Sequence, residues 1–589
     1  MTKIPKTIKI NAFLFCAVFL FLGLAGQAFA ATYYVAKTGS DSADGSQGSP
    51  WLTIQHAVNI ADAGDTVNVL SGTYYEKVNF TKSGTAGNPI TFQSSPEGAA
   101  IIDGTGLTFV SWEGLVTITG ASYITISGFE IRNSGWYNIL LKGDATHTRL
   151  LNLDVHNDLG EDQIDINGPI TKPAFSVISG CKVHDGPGGG INLWQGGGGY
   201  WLVENNEVYN NAGAGNYDGI QVEGGGNMHH IIIKNNLIHD NASSDNGEGG
   251  ADNLDLTSGR LTHHYLVEGN DIYGSEGSFK LHSGAKYTPG VSSFHIARFN
   301  RLTGLEYVCY GFPNPIVLYN NTFVDAGQFV HFSGDGGSKV NTMGDSTYTG
   351  GDTGRMNFKN NIFFQEKPSY AYALIVEPDG WNVNVTYASV RMQHSLYRMT
   401  NNQWGWGTVF DLYEPMTPEF FADFQASGAP DYPDTGSILT TTDASQNFVG
   451  YATKDYHLTS TSPAIDAGMA LTTATSSGTN STTLVVDRAS YFFDGYCVNG
   501  ECLDTPDSIV VGSNLTPVQI VSITDSTNTI TLASPRTWSS GDPVTLAYSG
   551  SAPDIGAFEY DSGYVYTPPA CTPSWSCGSW TTCASSYQT

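Results

Sequence analysis

The sequence predicts an all-β fold, a right-handed parallel β-helix, and three observations carry that reading. The 69 glycines, with abundant Asn, Thr and Ser, separate short β-branched runs, which is the composition of many short strands joined by tight turns. One set of strands recurs as QIDING (163–168), GINLWQGG (190–197), GIQVEGG (219–225), NLDLTSG (253–259) and SFKLHSG (278–284). A second set, including SGCKVHD (179–185), ENNEVYNN (204–211), KNNLIHDN (234–241) and EGNDIYGS (268–275), places Asn206, Asn236, Asn270, Asn300, Asn321 and Asn361 at one turn position. In the first set the leading apolar residues Ile164, Ile191, Ile220, Leu254 and Phe279 are separated by 27, 29, 34 and 25 residues. Constant register with variable spacing is what a coil of parallel strands permits, because insertions loop out at corners while each strand stacks on the last. The usual chirality of parallel crossovers makes the coil right-handed, with roughly a dozen windings at about 4.8 Å each. Stacked asparagines can hydrogen-bond along such a column.

The elements follow in chain order. Residues 1–30 read as a signal peptide: Lys3, Lys6 and Lys9 precede the apolar run Ala12 to Gly26, and Ala28-Phe29-Ala30 forms an A-x-A cleavage site. No later stretch approaches the roughly 20 continuous apolar residues of a membrane span, so the mature chain is expected to be secreted and without a span. The segment PWLTIQHAVNIADAGD (50–65) carries Ile54, Ala57, Val58 and Ala61 at helical spacing, and predicts a short helix capping the first open coil. The β-helix is assigned to 31–471. A Thr- and Ser-rich β unit at 472–549 interrupts the closing segments SPAIDAG (462–468) and PDIGAFEY (553–560), so that 550–562 returns to the coil. Residues 563–589 read as a linker and an incomplete Cys/Trp-rich appendage, in which PSWSCGSWTTC (573–583) resembles the opening of a thrombospondin type 1 repeat.

Of the eight cysteines, Cys16 leaves with the signal; Cys497 and Cys502 in CVNGEC can close a small loop in an oxidising compartment, and Cys571, Cys577 and Cys583 crowd the C-terminal stretch. Cys181 and Cys309 read as small buried hydrophobes. No spacing suggests a cysteine zinc site.

Alternation along a strand sends neighbouring side chains to opposite faces. With the apolar anchors inward, an outward column reads Asp165, Asn192, Gln221, Asp255, Lys280, and a second reads Asn167, Trp194, Glu223, Thr257, His282. Two residues before the anchors come Asp162, Gly189, Asp218 and Asp252. Successive windings therefore present Asp218, then Asp252 with Asp255, then Lys280. Carboxylates about 4.8 Å apart repel unless a cation lies between them. Calcium suits such a set because it accepts carboxylate and carbonyl oxygens in irregular geometry. The lysine one winding on would then act on whatever the cation holds. Arg260, His282 and Lys286 are candidates for gripping substrate carboxylates, as are His263 and His264; Trp194 is a candidate sugar platform, and Glu223 a further acid.

Twenty-six basic against 55 acidic residues, a formal charge of −29, exclude a general nucleic-acid binder. Any acidic substrate must be held locally, by cations and a few basic side chains, since salt screens the rest beyond about 10 Å. The chain is read as a monomer.

The segments YYVAKTGSDSADGSQGSPWLTIQHAVNIADAGDTVNVLSGTY (33–74), YDGI (217–220), ADNLDL (251–256) and GSFKLHSG together resemble polysaccharide lyase family 9, the right-handed β-helix pectate lyases. The resemblance implies calcium held by Asp218, Asp252 and Asp255, Lys280 as the base, and β-elimination from a uronate polymer such as pectate. The chain departs from the family at Ala251, where another aspartate is usual, and at Asn253, where glycine is common; Asp245 or Glu248 can replace the missing ligand. A lysine with an ordinary pKa near 10.4 must be depressed by burial or by the neighbouring dication to act as a base. Two rival functions share the fold: a glycoside hydrolase pairing Asp218 with Asp255, and a non-catalytic carbohydrate-binding surface protein.

Overall fold

Parallel strands stack through the chain as the repeats require. The computed structural model describes residues 30–565 except 169, 195–198, 212–216, 224–227, 242–251, 257–262, 275–278, 282–293, 306–307, 311–315, 327–330, 334–355, 367–374, 378–389, 400–402, 405–413 and 416–435. Among these residues an 11-stranded parallel sheet and a 24-stranded parallel sheet form the body of a parallel β-helix, each winding giving one strand to the first and two to the second. Ile164, Ile191, Ile220, Leu254 and Phe279 are consecutive partners along the 11-stranded sheet, at 0–1% exposure. Burying a side chain of this size contributes roughly 1.5–3 kcal/mol, and the column repeats it at every winding.

The first winding is covered by the helix Ile54–Ile60. Thr53 accepts the His56 N–H as its N-cap, and Ile54, Ala57 and Val58 face the core.

Turns between the paired strands of the larger sheet use left-handed backbone at Asn205, Asn235, Asn320 and Asn360, a conformation asparagine tolerates better than most residues. The residue after each turn builds the expected ladder. Asn206, Asn236, Asn270, Asn300 and Asn321 each donate both backbone N–H and side-chain amide to the next asparagine's Oδ1, ending at Asn361, at 2.9–3.0 Å throughout. A second ladder runs Asn211 to Asn241 to Asn253.

The inserted unit near the C-terminus is a six-stranded antiparallel sheet whose strands lie between Thr472 and Leu546. It packs on the outer face of the larger sheet. Ile231 and Ile233 point into the coil, while Ile232 between them joins Leu202, Leu266 and Ile296 against Leu484, Phe492 and Ile530 of the insert. That explains why HIIIK is apolar at three successive positions. Arg298 fastens the contact, donating two 2.7 Å hydrogen bonds to Asp507 of the insert, one of 2.6 Å to Glu268 and one of 2.8 Å to the Tyr319 hydroxyl. Cys497 and Cys502 are joined by a disulfide within the insert, and Cys181 is buried with a free thiol. Cys309's side chain and Cys571, Cys577 and Cys583 lie outside the described residues.

SPAIDAG and PDIGAFEY pack on late windings: Asn320 donates to the Asp554 and Gly556 carbonyls, and Ala464 and Ile555 are wholly buried. Among the described residues no helix is long and apolar enough to cross a membrane.

Candidate metal and substrate site

The register that sets the site is the one the alternation predicts. Asp165 pairs with Asn192, Asn192 with Gln221, Gln221 with Asp255, and Asp255 with Lys280. Asp218 and Asp252 enter from the residues before the anchors, in neighbouring windings joined by the Gly219 N–H donating to the Asp252 carbonyl at 2.8 Å. A Cβ on Gly219 would stand 2.6 Å from both the Asn253 carbonyl and the Asn241 amide, so the glycine of YDGI is what allows the windings to close here. The Asp252 N–H donates to Asp218 Oδ1 at 2.6 Å, fixing that carboxylate against the next winding.

Asp218, Asp252 and Asp255 are 5%, 3% and 7% exposed, and one oxygen from each lies within 4.8 Å of the others. Three carboxylates gathered this closely in a buried place are hard oxygen donors suited to a calcium ion, and the residues present fit it.

Other site residues divide by what surrounds them. Lys280 lies on the strand Phe279–Leu281 as Asp255's partner; its backbone is described and its side chain is not. Trp194 ends the strand Gly189–Trp194, half-buried, in register with Glu223, whose side chain is likewise outside the described residues. Arg260, His282, Lys286, Asp245, Glu248 and Ala251 lie outside the described residues. Asn253, where the resembled family carries glycine, is wholly buried and ends the second asparagine ladder, donating also to the Tyr273 carbonyl. Its departure from the family thus serves the coil.

Two expectations are corrected. The column termed outward is not solvent-facing at this site, since Asp165 and Asn192 are 1% and 7% exposed; alternation tells which side of a sheet a residue takes, and not what covers that side. His263 and His264 do not join the acids. They begin the strand His263–Glu268 of the larger sheet, and His264 Nε2 contacts Asp525 of the insert at 3.1 Å.

An acidic group two to three windings earlier received no role from the sequence. Asp162 accepts from the Gly189 N–H and the Asn192 amide, both at 3.2 Å. Burial, reinforced by the Asp162 charge, holds the Asp165 carboxyl well above the usual carboxylate range, and burial pushes Asp158 up to about 7. The signal was the doublet of Asp162 and Asp165 in QIDING's own winding, in the columns that carry the calcium candidates.

Residues 33–227 match the family model described as Pel9A-like, right handed beta helix region. The uncharacterized protein YwoF of Bacillus subtilis is 37% identical over 101 residues, 17% of this chain and 22% of that protein. Pectate lyase PEL9 of Emericella nidulans is 39% identical over 90 residues, 15% of this chain and 22% of its own. The matched segments thus span about a fifth of these curated relatives. Among solved structures, pectate lyase Pel9A is similar over 91% of this chain and 98% of its own, at 16% identity and a TM-score of 0.43. An alginate lyase from Paenibacillus sp. is similar over 50% and 93%, at 16% identity and a TM-score of 0.35.

Proposed function

We propose that this chain, whose residues 33–227 carry the Pel9A-like right-handed β-helix region, is a secreted calcium-dependent polysaccharide lyase. Its substrate is a uronate-containing polysaccharide, pectate or polygalacturonate in the first place. The observation that carries the reading is the buried trio of Asp218, Asp252 and Asp255 with Lys280 in register beside Asp255.

Asp218, Asp252 and Asp255 would hold the calcium ion. When bound, that ion supplies charge neutralisation at the substrate carboxylate and at the enolate-like charge that develops beside it. Lys280, as the free amine, takes the C5 proton; the C5–H electron pair becomes the C4–C5 double bond as the bond from C4 to the leaving oxygen breaks. Arg260, His282 and Lys286 position substrate carboxylates and Trp194 offers a ring face to a sugar. A lysine base also sets the pH dependence: since an unperturbed amine titrates near about 10.4, activity rises into the alkaline range.

The test is a screen of acidic polysaccharides with and without calcium, reading near-ultraviolet absorbance and reducing ends together. Calcium-dependent growth of both signals on polygalacturonate supports the reading. Reducing ends without ultraviolet absorbance would assign hydrolysis, and binding with neither signal would assign a non-catalytic surface protein.

A further inference from the structure

On the opposite sheet from the acids, two histidine pairs stack on consecutive windings. His229-His230 and His263-His264 begin the strands His229–Lys234 and His263–Glu268, with His229 and His263 in register. Side chains of successive strand residues normally point to opposite faces, but His230 and His264 take left-handed backbone, with φ of 55° and 60°. That kink turns the two imidazoles of each pair together, bringing Nδ1 to Nδ1 at 2.8 Å in the first pair and 2.7 Å in the second. The rings stack between windings at 5.0 Å for His229 on His263 and 4.7 Å for His230 on His264. Nitrogens of His230, His263 and His264 all lie within 4.8 Å of one another.

Half of this arrangement has an ordinary structural explanation. The kinked position is held on other windings by Tyr123, His147, Phe175, Tyr200 and Phe294, all at positive φ. The rings make an aromatic ladder, with contacts such as Tyr200 on His230 at 4.6 Å. The ladder explains His230 and His264. It does not explain His229 and His263, because the preceding position on four earlier windings holds Ser122, Thr146, Ala174 and Gly199. Imidazole in that place occurs only where the ladder ring is also imidazole.

A further observation fixes a tautomer. Asp525 of the insert lies 3.1 Å from His264 Nε2. A carboxylate accepts, so Nε2 carries a hydrogen, and the other ring nitrogen, Nδ1, faces His263. This is the carboxylate–histidine relation that orients imidazoles on metal ions. A cavity of about 160 Å³ adjoins, lined by His230, His264, Phe294, Asp494, Tyr496 and Asp525.

The geometry points to a binding site for a divalent transition metal of the zinc type, held by His230, His263 and His264, with His229 beside them and Asp525 orienting His264. Nitrogen-only donors exclude calcium, which takes oxygen, and suit zinc, at about 2.0–2.1 Å. The paired Nδ1 atoms need to open by roughly half an ångström to span a tetrahedral ion at that bond length. Because Asp525 belongs to the insert, the ion links insert and coil.

The test is cobalt titration of the chelator-stripped, untagged mature chain, followed by visible absorption, with zinc competition and elemental analysis. The expected result is a stoichiometric, zinc-displaceable cobalt spectrum that excess calcium leaves intact. His263→Gln and His230→Phe, which keeps a ladder ring, abolish it. Asp525→Asn weakens binding by about 10–100-fold, while Asp252→Asn leaves it unchanged. Absence of the spectrum in the wild type, or its persistence in both histidine variants, overturns the proposal.

Discussion

Asp255 and Lys280 are partners across adjacent parallel strands, one winding apart, and Gln221 is Asp255's partner on the other side. A parallel coil places such positions about 4.8 Å apart, so two strand positions 25 residues apart in sequence stand side by side. The proposed calcium ligands and the proposed base are therefore separate groups with separately testable roles.

Asp252→Asn removes one charge from the trio and keeps the side chain's shape. Calcium affinity should fall at least about tenfold, about 1.4 kcal/mol, with the fold retained. Isothermal titration of calcium into the variant checks this; wild-type affinity would show that Asp252 is no ligand.

Asn270→Ala interrupts the longer ladder at its middle. It removes the acceptor of the Asn236 backbone N–H and of one Asn236 amide hydrogen, and a donor to the Ile233 carbonyl. At about 1–3 kcal/mol for each buried group left unsatisfied, unfolding should be easier by more than about 2 kcal/mol, measured by urea titration. A change within about 0.5 kcal/mol would mean that the ladder relaxes freely.

How much of this was legible follows from which interactions have a period. The anchors Ile164 to Phe279 and the column Asp165 to Lys280 could be read because parallel strands repeat both register and side-chain direction. The ladder from Asn206 to Asn361 was visible for the same reason. The second ladder was not, because it reaches from Asn241 to Asn253 across only 12 residues, breaking the spacing of the windings. That His263 and His264 lie on the other sheet was not legible because they fall outside the repeat whose register could be read, and the left-handed backbone at His264 breaks the alternation there. The burial of Asp165 was invisible because local periodicity carries no information about what covers a sheet.

Arg298 is 3% exposed and joins the insert to the coil through Asp507 and Glu268. Burial alone would raise the Glu268 pKa, but the charges of Arg298 and Lys234 hold it below its ordinary value. Arg298→Ala leaves two acids without their buried partner and should cost roughly 3–5 kcal/mol. Early proteolysis within 472–546 and a lowered Tm are the expected readouts; unchanged melting would show that apolar contacts alone hold the insert.

Two histidines of a separate ring stack make stability fall with rising pH. Burial alone would lower the pKa of His184, yet Asp154 and Asp185, each at 2.9 Å, raise it above 6.5; Glu207 and Asp240 do the same for His239. A raised folded-state pKa contributes stability in full below the unfolded value of about 6.5 and loses it as pH rises through the folded value. The urea midpoint should therefore drop as pH rises above about 6.5, and drop less in His184→Gln/His239→Gln. Equal slopes in variant and wild type would remove these residues from the effect.

The central claim is most directly tested by Lys280→Ala on polygalacturonate at saturating calcium, followed by near-ultraviolet absorbance, with calcium binding measured on the same sample. Loss of unsaturated product by roughly 10²–10⁴-fold or more, with calcium affinity retained, is the predicted result. Cleavage by Lys280→Ala at the wild-type rate would contradict it.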